Sequence, residues 1–344
     1  MSMRILVTLL LFYAVQPAPW WTVQASGRNT NLRGVCVKSM QNASGRHYVI
    51  WASGSNGVVL RSVDDGNTWK QLAVEGSADL DFRDIEAFDD NVAYLMSSGD
   101  GAKSRIYKTI DGGMSWKLQY TDQRAGFFLD SMACSSRTHC VAVSDPVEGK
   151  FLVIVTNDGE HWKDLARNKM PAALPQEGVF AASGSEIAFC GSDIFFGTGG
   201  PAARVFRSKD DGLSWTVVET PLPSGNASSG IFGLACDGRG HMVAVGGDYR
   251  NPTRAVHNAA YSDDSGITWK LSQNEPGGFR SAVGLFSRNN VTAVGPNGTD
   301  LSEDNGAHWA HTDALNLNAL KMVGDDGWAV GANGTIARFH NQDR

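Results

Sequence analysis

The sequence predicts an all-β fold, a seven-bladed β-propeller of four-stranded antiparallel blades whose last blade is closed by the N-terminal strand. Three observations predict it. An eight-residue box, first met as Ser62-Val63-Asp64-Asp65-Gly66-Asn67-Thr68-Trp69, returns along the chain with its tryptophan at 69, 116, 162, 215, 269 and 309. The spacing suits one four-stranded blade per box. Between boxes, apolar and polar residues alternate with period two in short runs separated by turn residues, the pattern of antiparallel strands, and no helical period is sustained. The two ends of the chain carry complementary fragments of one further unit.

The chain opens with Arg4 and an apolar run from Ile5 to Val15, about the length of a signal-peptide core and too short to span a bilayer. Residues 1–18 are therefore expected to be a signal peptide, and 19–344 one propeller domain that is secreted or otherwise extracytoplasmic, with no stable membrane span. Cleavage after Ala25 fits the small-residue rule better than cleavage after Ala18, but it would remove Trp21-Thr22-Val23. A short N-terminal anchor is the alternative to cleavage.

Each unit then reads as two alternating runs, a third run entering the box, and a fourth leaving it after the tryptophan. The boxes carry Asp64 and Trp69, Asp111 and Trp116, Asp158 and Trp162, Asp210 and Trp215, Asp264 and Trp269, and Asp304 and Trp309; the third has lost one residue. Each box is expected in the turn between strands three and four. There the Asp accepts backbone N–H groups, Gly takes a positive φ and Trp buries a large flat surface. Six copies around a ring cannot share one catalytic pocket, so the boxes read as architecture. After the sixth box the chain supplies three more strands, and Trp21-Thr22-Val23 supplies the fourth, which removes open sheet edges.

These boxes resemble the Asp-box, or BNR, repeats of sialidases, sortilin-type receptors and photosystem II stability/assembly factor-like propellers. The phrases "DFRDIEAFD", "SRIYKTIDGGMSWKLQ", "GVFAASG" and "FRSAVG" look most like the last group. The resemblance covers about residues 20 to 340 and implies a seven-bladed propeller; the group includes assembly factors.

The candidate site lies away from the boxes. Aligned units put Arg33, Arg83 and Arg280 at nearly one point of the first strands, with Asp84, Glu86, Asp130 and Glu177 close to the same ring. First strands line the central channel of a propeller, so these residues form either a polar pocket for an anionic or hydroxylated ligand or a salt-bridged plug. Two segments break the blade grammar, "SDPVEGK" with Asp145 and "GGDYRNPTRAVHN" with Asp248 and Tyr249; both are expected as loops over the mouth. The favoured function is a binding or assembly scaffold for a protein or glycan, acting as a monomer. The alternative is a glycan-active hydrolase that uses mouth carboxylates with arginines holding an acidic sugar. Phe82-Arg83-Asp84-Ile85 matches only half of the sialidase Phe-Arg-Ile-Pro motif.

Composition excludes other classes. Net charge is −6 and no basic run occurs, against a nucleic-acid binder. Among five cysteines there is no C-x-x-C pair, so no metal site is expected. Cys134 and Cys140 flank a hairpin turn; either they form a disulfide or all five are buried thiols. Gly197-Thr198-Gly199-Gly200-Pro201-Ala202 fits the dinucleotide fingerprint, but a strand follows where that motif needs a helix, and no cofactor is expected. Sequons stand at Asn42, Asn226, Asn297 and Asn333.

Overall fold

A computed structural model describes residues 20–43, 45–287 and 289–341; the expected signal segment 1–18 lies outside them. Seven antiparallel sheets follow one another around a ring. The first strands of blades one to seven are Leu32–Asn42, Asp81–Ala87, Leu129–Cys134, Ile187–Cys190, Asn226–Cys236, Ala282–Leu285 and Leu317–Val323. Blade seven adds Asp326–Gly331 and Thr335–His340 and is completed by Trp21–Ala25, which pairs Trp21 with Phe339 and Ala25 with Thr335. Cleavage after Ala25 would take that strand away. The helical turns among the described residues are two short 3-10 segments, Gly101–Lys103 and Ala332–Gly334, and no helix there is long and apolar enough to cross a membrane.

Because strands alternate their side chains between two faces, each blade is apolar on both faces and buries them against its neighbours. The core is thus divided among the blade interfaces. Trp51 of blade one meets Trp116 of blade two edge-on at 6.2 Å, and Tyr48 meets Trp328 of blade seven at 5.1 Å. Phe151 of blade three packs on Phe196 and Phe206 of blade four at 5.3 and 5.1 Å.

Two disulfides join strands. Cys134 bonds Cys140, its direct partner across the hairpin, and Cys190 bonds Cys236, linking the ends of the first strands of blades four and five; Cys36 is a buried thiol. The glycine-rich fingerprint opens no helix: Gly199–Gly200 is a two-residue strand paired to the first strand of blade five.

Candidate functional site at the channel mouth

One irregularity, repeated, builds the mouth. The first strands of blades one, two, three, five and seven each shift register once, leaving Arg33, Arg83, Asp130, Phe232 and Asn318 unpaired in the ladder. A bulge of this kind bends the strand and re-aims the extra side chain. Arg33, Arg83 and Phe232 accordingly line a pocket of about 310 Å³ together with Phe180, Tyr249 and Phe279.

The pocket has a cationic side and an aromatic side. Arg83 donates from Nε to Asp81 at 2.7 Å and from a terminal nitrogen to the Ala181 carbonyl. The Arg33 Nε is buried with no hydrogen-bond partner. Burial, and after it the adjacent Arg83 charge, pulls Arg33 down to about 10, so it remains a cation at neutral pH. Opposite, Phe180 and Phe232 stack with centroids 3.9 Å apart and 12° between planes, Phe279 meets Phe232 edge-on at 4.6 Å, and Tyr249 stands edge-on to both stacked rings. Tyr249 is 43% exposed, an amphipathic ring left facing water.

Beneath the mouth lie acids. Asp130 and Glu186 are buried, each with one carboxyl oxygen lacking a partner. Burial pushes both well above the ordinary carboxylate range; Asp145 and Glu186 add to the effect on Asp130. Burial also raises Asp145 to about 6, against the hydrogen bond it accepts from the Val179 N–H at 3.0 Å. Deeper in the channel, Asp84 and Glu86 line a separate cavity of about 320 Å³ with Lys321. Asp84 accepts the Met132 N–H at 2.7 Å and is raised by burial and then by Glu86, while Lys321 approaches Glu86 to 3.5 Å and is raised by it.

Three further sequence candidates are spent on partners of their own. Arg280 is fully buried and is paired with Asp300 inside blade six, with further bonds to the Phe279 carbonyl and Asn297. Its neighbour Ser281 lines the mouth instead. Glu177 is buried in an ion pair with Arg204, Nε to Oε1 at 2.8 Å, and accepts the Thr198 hydroxyl at 2.6 Å. Asp248 spends its carboxylate on its own loop, accepting the Arg250 N–H and the Asn251 amide. Sequence reasoning named Tyr249 but missed Glu186, Lys321 and the phenylalanines Phe180, Phe232 and Phe279. Among the described residues no group of three or more His, Cys, Asp or Glu is arranged to hold a metal ion.

The family model described as "Photosynthesis system II assembly factor YCF48" matches residues 28–276. The chain belongs to the YCF48 family. No curated protein matches it by sequence. Among solved structures, one described as YCF48 bound to D1 peptide is 14% identical with a TM-score of 0.67, covering 95% of this chain and 98% of that one. YCF48 from Cyanidioschyzon merolae is 16% identical with a TM-score of 0.64, covering 93% and 98%. Virginiamycin B lyase from Staphylococcus aureus is 13% identical with a TM-score of 0.63, covering 93% and 99%. At such identities the likeness is one of fold.

In this YCF48-family chain the Asp boxes sit away from the mouth, each in the turn between the third and fourth strands of its blade. In the first box Ser62 Oγ donates to Asp64 at 2.7 Å and accepts the Gly66 N–H at 2.9 Å. Asp64 in turn takes the Thr68 N–H and hydroxyl at 2.9 and 2.6 Å, and Trp69 donates to the Gly66 carbonyl at 3.0 Å. Asp65 and Gly66 have φ of 61° and 79°, and a side chain at Gly66 would strike Gln24 of the closing strand. The shortened third box keeps the scheme with His161, whose N–H and ring both bond Asp158, but Trp162 turns to Gln119. Hydrogen bonds led by the Ser115 hydroxyl hold Asp111 down at about 2. Such a depressed carboxylate supports the fold above its unfolded value and ceases to do so as pH falls through the folded one.

Proposed function

We propose that the chain is a protein-binding assembly scaffold that holds an extended peptide segment at the channel mouth, a carboxylate on Arg33 and Arg83 and an apolar or aromatic side chain on the Phe180, Phe232 and Tyr249 wall. The observation that carries this is Arg33, which lines the mouth beside Arg83 while its Nε lacks a protein acceptor: a cation short of acceptors favours a ligand carboxylate, and guanidinium forks pair carboxylates bidentately. Family membership and the D1 peptide described on one YCF48 structure support the reading.

The hydrolase alternative has less support from the geometry. Among the candidate carboxylates Asp84 and Glu86 line the channel cavity, and they stand two residues apart on one strand. They therefore rise from one wall, whereas glycoside hydrolysis needs two carboxyls flanking the bond.

In a fluorescence titration with an acidic peptide ending in tyrosine, the Arg33→Ala/Arg83→Ala double variant is expected to bind at least about tenfold more weakly than wild type, since hydrogen bonds to charged groups are the strong ones. Unchanged affinity refutes the reading; binding of acidic glycans with no peptide affinity transfers it to a glycan ligand. Two disulfides suit an oxidising compartment, so an extracytoplasmic setting after cleavage at Ala18 is part of the proposal. N-terminal sequencing of the exported chain should then begin at Pro19; a chain retained with reduced cysteines refutes that part.

A further inference from the structure

Three ionisable side chains from three blades hold one short piece of the mouth wall, residues 179–182. Asp145 accepts the Val179 N–H at 3.0 Å, Glu186 accepts the Ala182 N–H at 3.2 Å, and Arg83 donates to the Ala181 carbonyl. Phe180, between them, is half of the stacked aromatic pair. In the floor below, Asp130 Oδ2, Glu186 Oε2 and Arg33 Nε are all buried without a hydrogen-bond partner. Burial favours the neutral forms of the floor acids, so Asp81 is the counter-charge beside the mouth guanidiniums; it pairs Arg83 and leaves the Arg33 charge largely uncancelled. An acidic chain thus presents a cationic opening.

We propose that binding of an anionic peptide at this mouth is coupled to protonation of Asp145, Asp130 and Glu186, so that affinity is highest while they are neutral and falls as they ionise. The proposal rests on the peptide-binding reading above. Each floor carboxylate that loses its proton offsets one arginine charge, and by reciprocity a bound anion makes those protons harder to remove. The order follows from the environments. Asp145, raised to about 6, ionises first as pH rises, and its charge then drives Asp130 further up.

Other charges face this group. Asp81 is occupied by Arg83. Asp84 opposes Glu186 and is itself flanked by Glu86 and Lys321. In the loop that carries Tyr249, Arg250 lies over the Tyr249 ring and His257 faces Glu275; replacing this histidine is the control for groups outside the floor.

Isothermal titration of the full-length mature protein tests the coupling. The probe is a tetrapeptide of two glutamates, an alanine and a C-terminal tyrosine, used in two buffers of different ionisation enthalpy from pH 5.5 to 8. The dissociation constant is expected to rise about tenfold across that range, the effect of one charge at intermediate dielectric, with net proton uptake on binding. Asp145→Asn should flatten the part of the rise near pH 6, and His257→Gln should leave the rise in place. If Asp145→Asn does not fold, the buffer dependence of the wild-type heat decides alone. A constant affinity with no proton uptake overturns the coupling and leaves the peptide reading standing. A pH dependence that vanishes in His257→Gln overturns the assignment to the floor. No binding at any pH overturns the peptide reading and the coupling together.

Discussion

Arg280→Ala is expected to destabilise the fold by about 3–5 kcal/mol, the cost of leaving a buried charge without its partner. Arg280 is fully buried, and Asp300 beside it is 0% exposed. Without the guanidinium, Asp300 keeps the Gly277 N–H, at 3.1 and 3.2 Å from its two oxygens, and His311 at 3.2 Å. That set does not replace a buried cation. Urea unfolding measures the loss. Replacing both partners together, as Arg280→Met/Asp300→Leu, should recover most of it, because a buried ion pair is often worth no more than well-packed apolar side chains. A single variant as stable as wild type would contradict this account. At temperatures where it remains folded, Arg280→Ala should bind peptide normally, which separates this arginine from Arg33 and Arg83.

Trp328→Ala is expected to cost about 3–5 kcal/mol through the cavity it leaves. The ring is fully buried at the junction of the last and first blades, against Tyr48 and with the Arg338 guanidinium 5.0 Å from its centre. Its Nε1 donates to Gln24 of the closing strand at 2.9 Å. The loss should therefore show as easier proteolysis at Trp21–Ala25 as well as a lower unfolding midpoint. A lower midpoint with that strand equally protected would mean that Trp328 supports the blade and not the closure.

The fold was legible because it is repetitive. Six boxes mark the same turn, and the ends supplied the missing blade as two fragments. The site was only half legible because it depends on a one-residue shift that repeats do not announce. Phe82-Arg83 and Phe279-Arg280 are the same dipeptide, yet Ser281 holds the mouth position in blade six. With side chains alternating along a strand, one residue of slip sends Arg280 to the opposite side. Glu177 was misplaced for a different reason, since its partner Arg204 lies in another run and no local pattern joins them. The aromatic wall did leave a signal: Phe232 stands in its strand where Arg33 and Arg83 stand in theirs. The cysteine pairing left one too, as Cys134, Cys190 and Cys236 each end a first strand.

The closing strand has a consequence for the order in which this molecule is made. Gln24 and Trp328 are 304 residues apart in sequence, and the strand they join can pair only after Thr335–His340 has been made. Until then the first strand has no partner, and both outer blades show a bare apolar face. Closing so long a loop carries an entropic cost that grows slowly with length and must be met before the contacts form. Ring closure must therefore wait for the last strand, and a chain stalled one strand short exposes an edge to pairing with another copy.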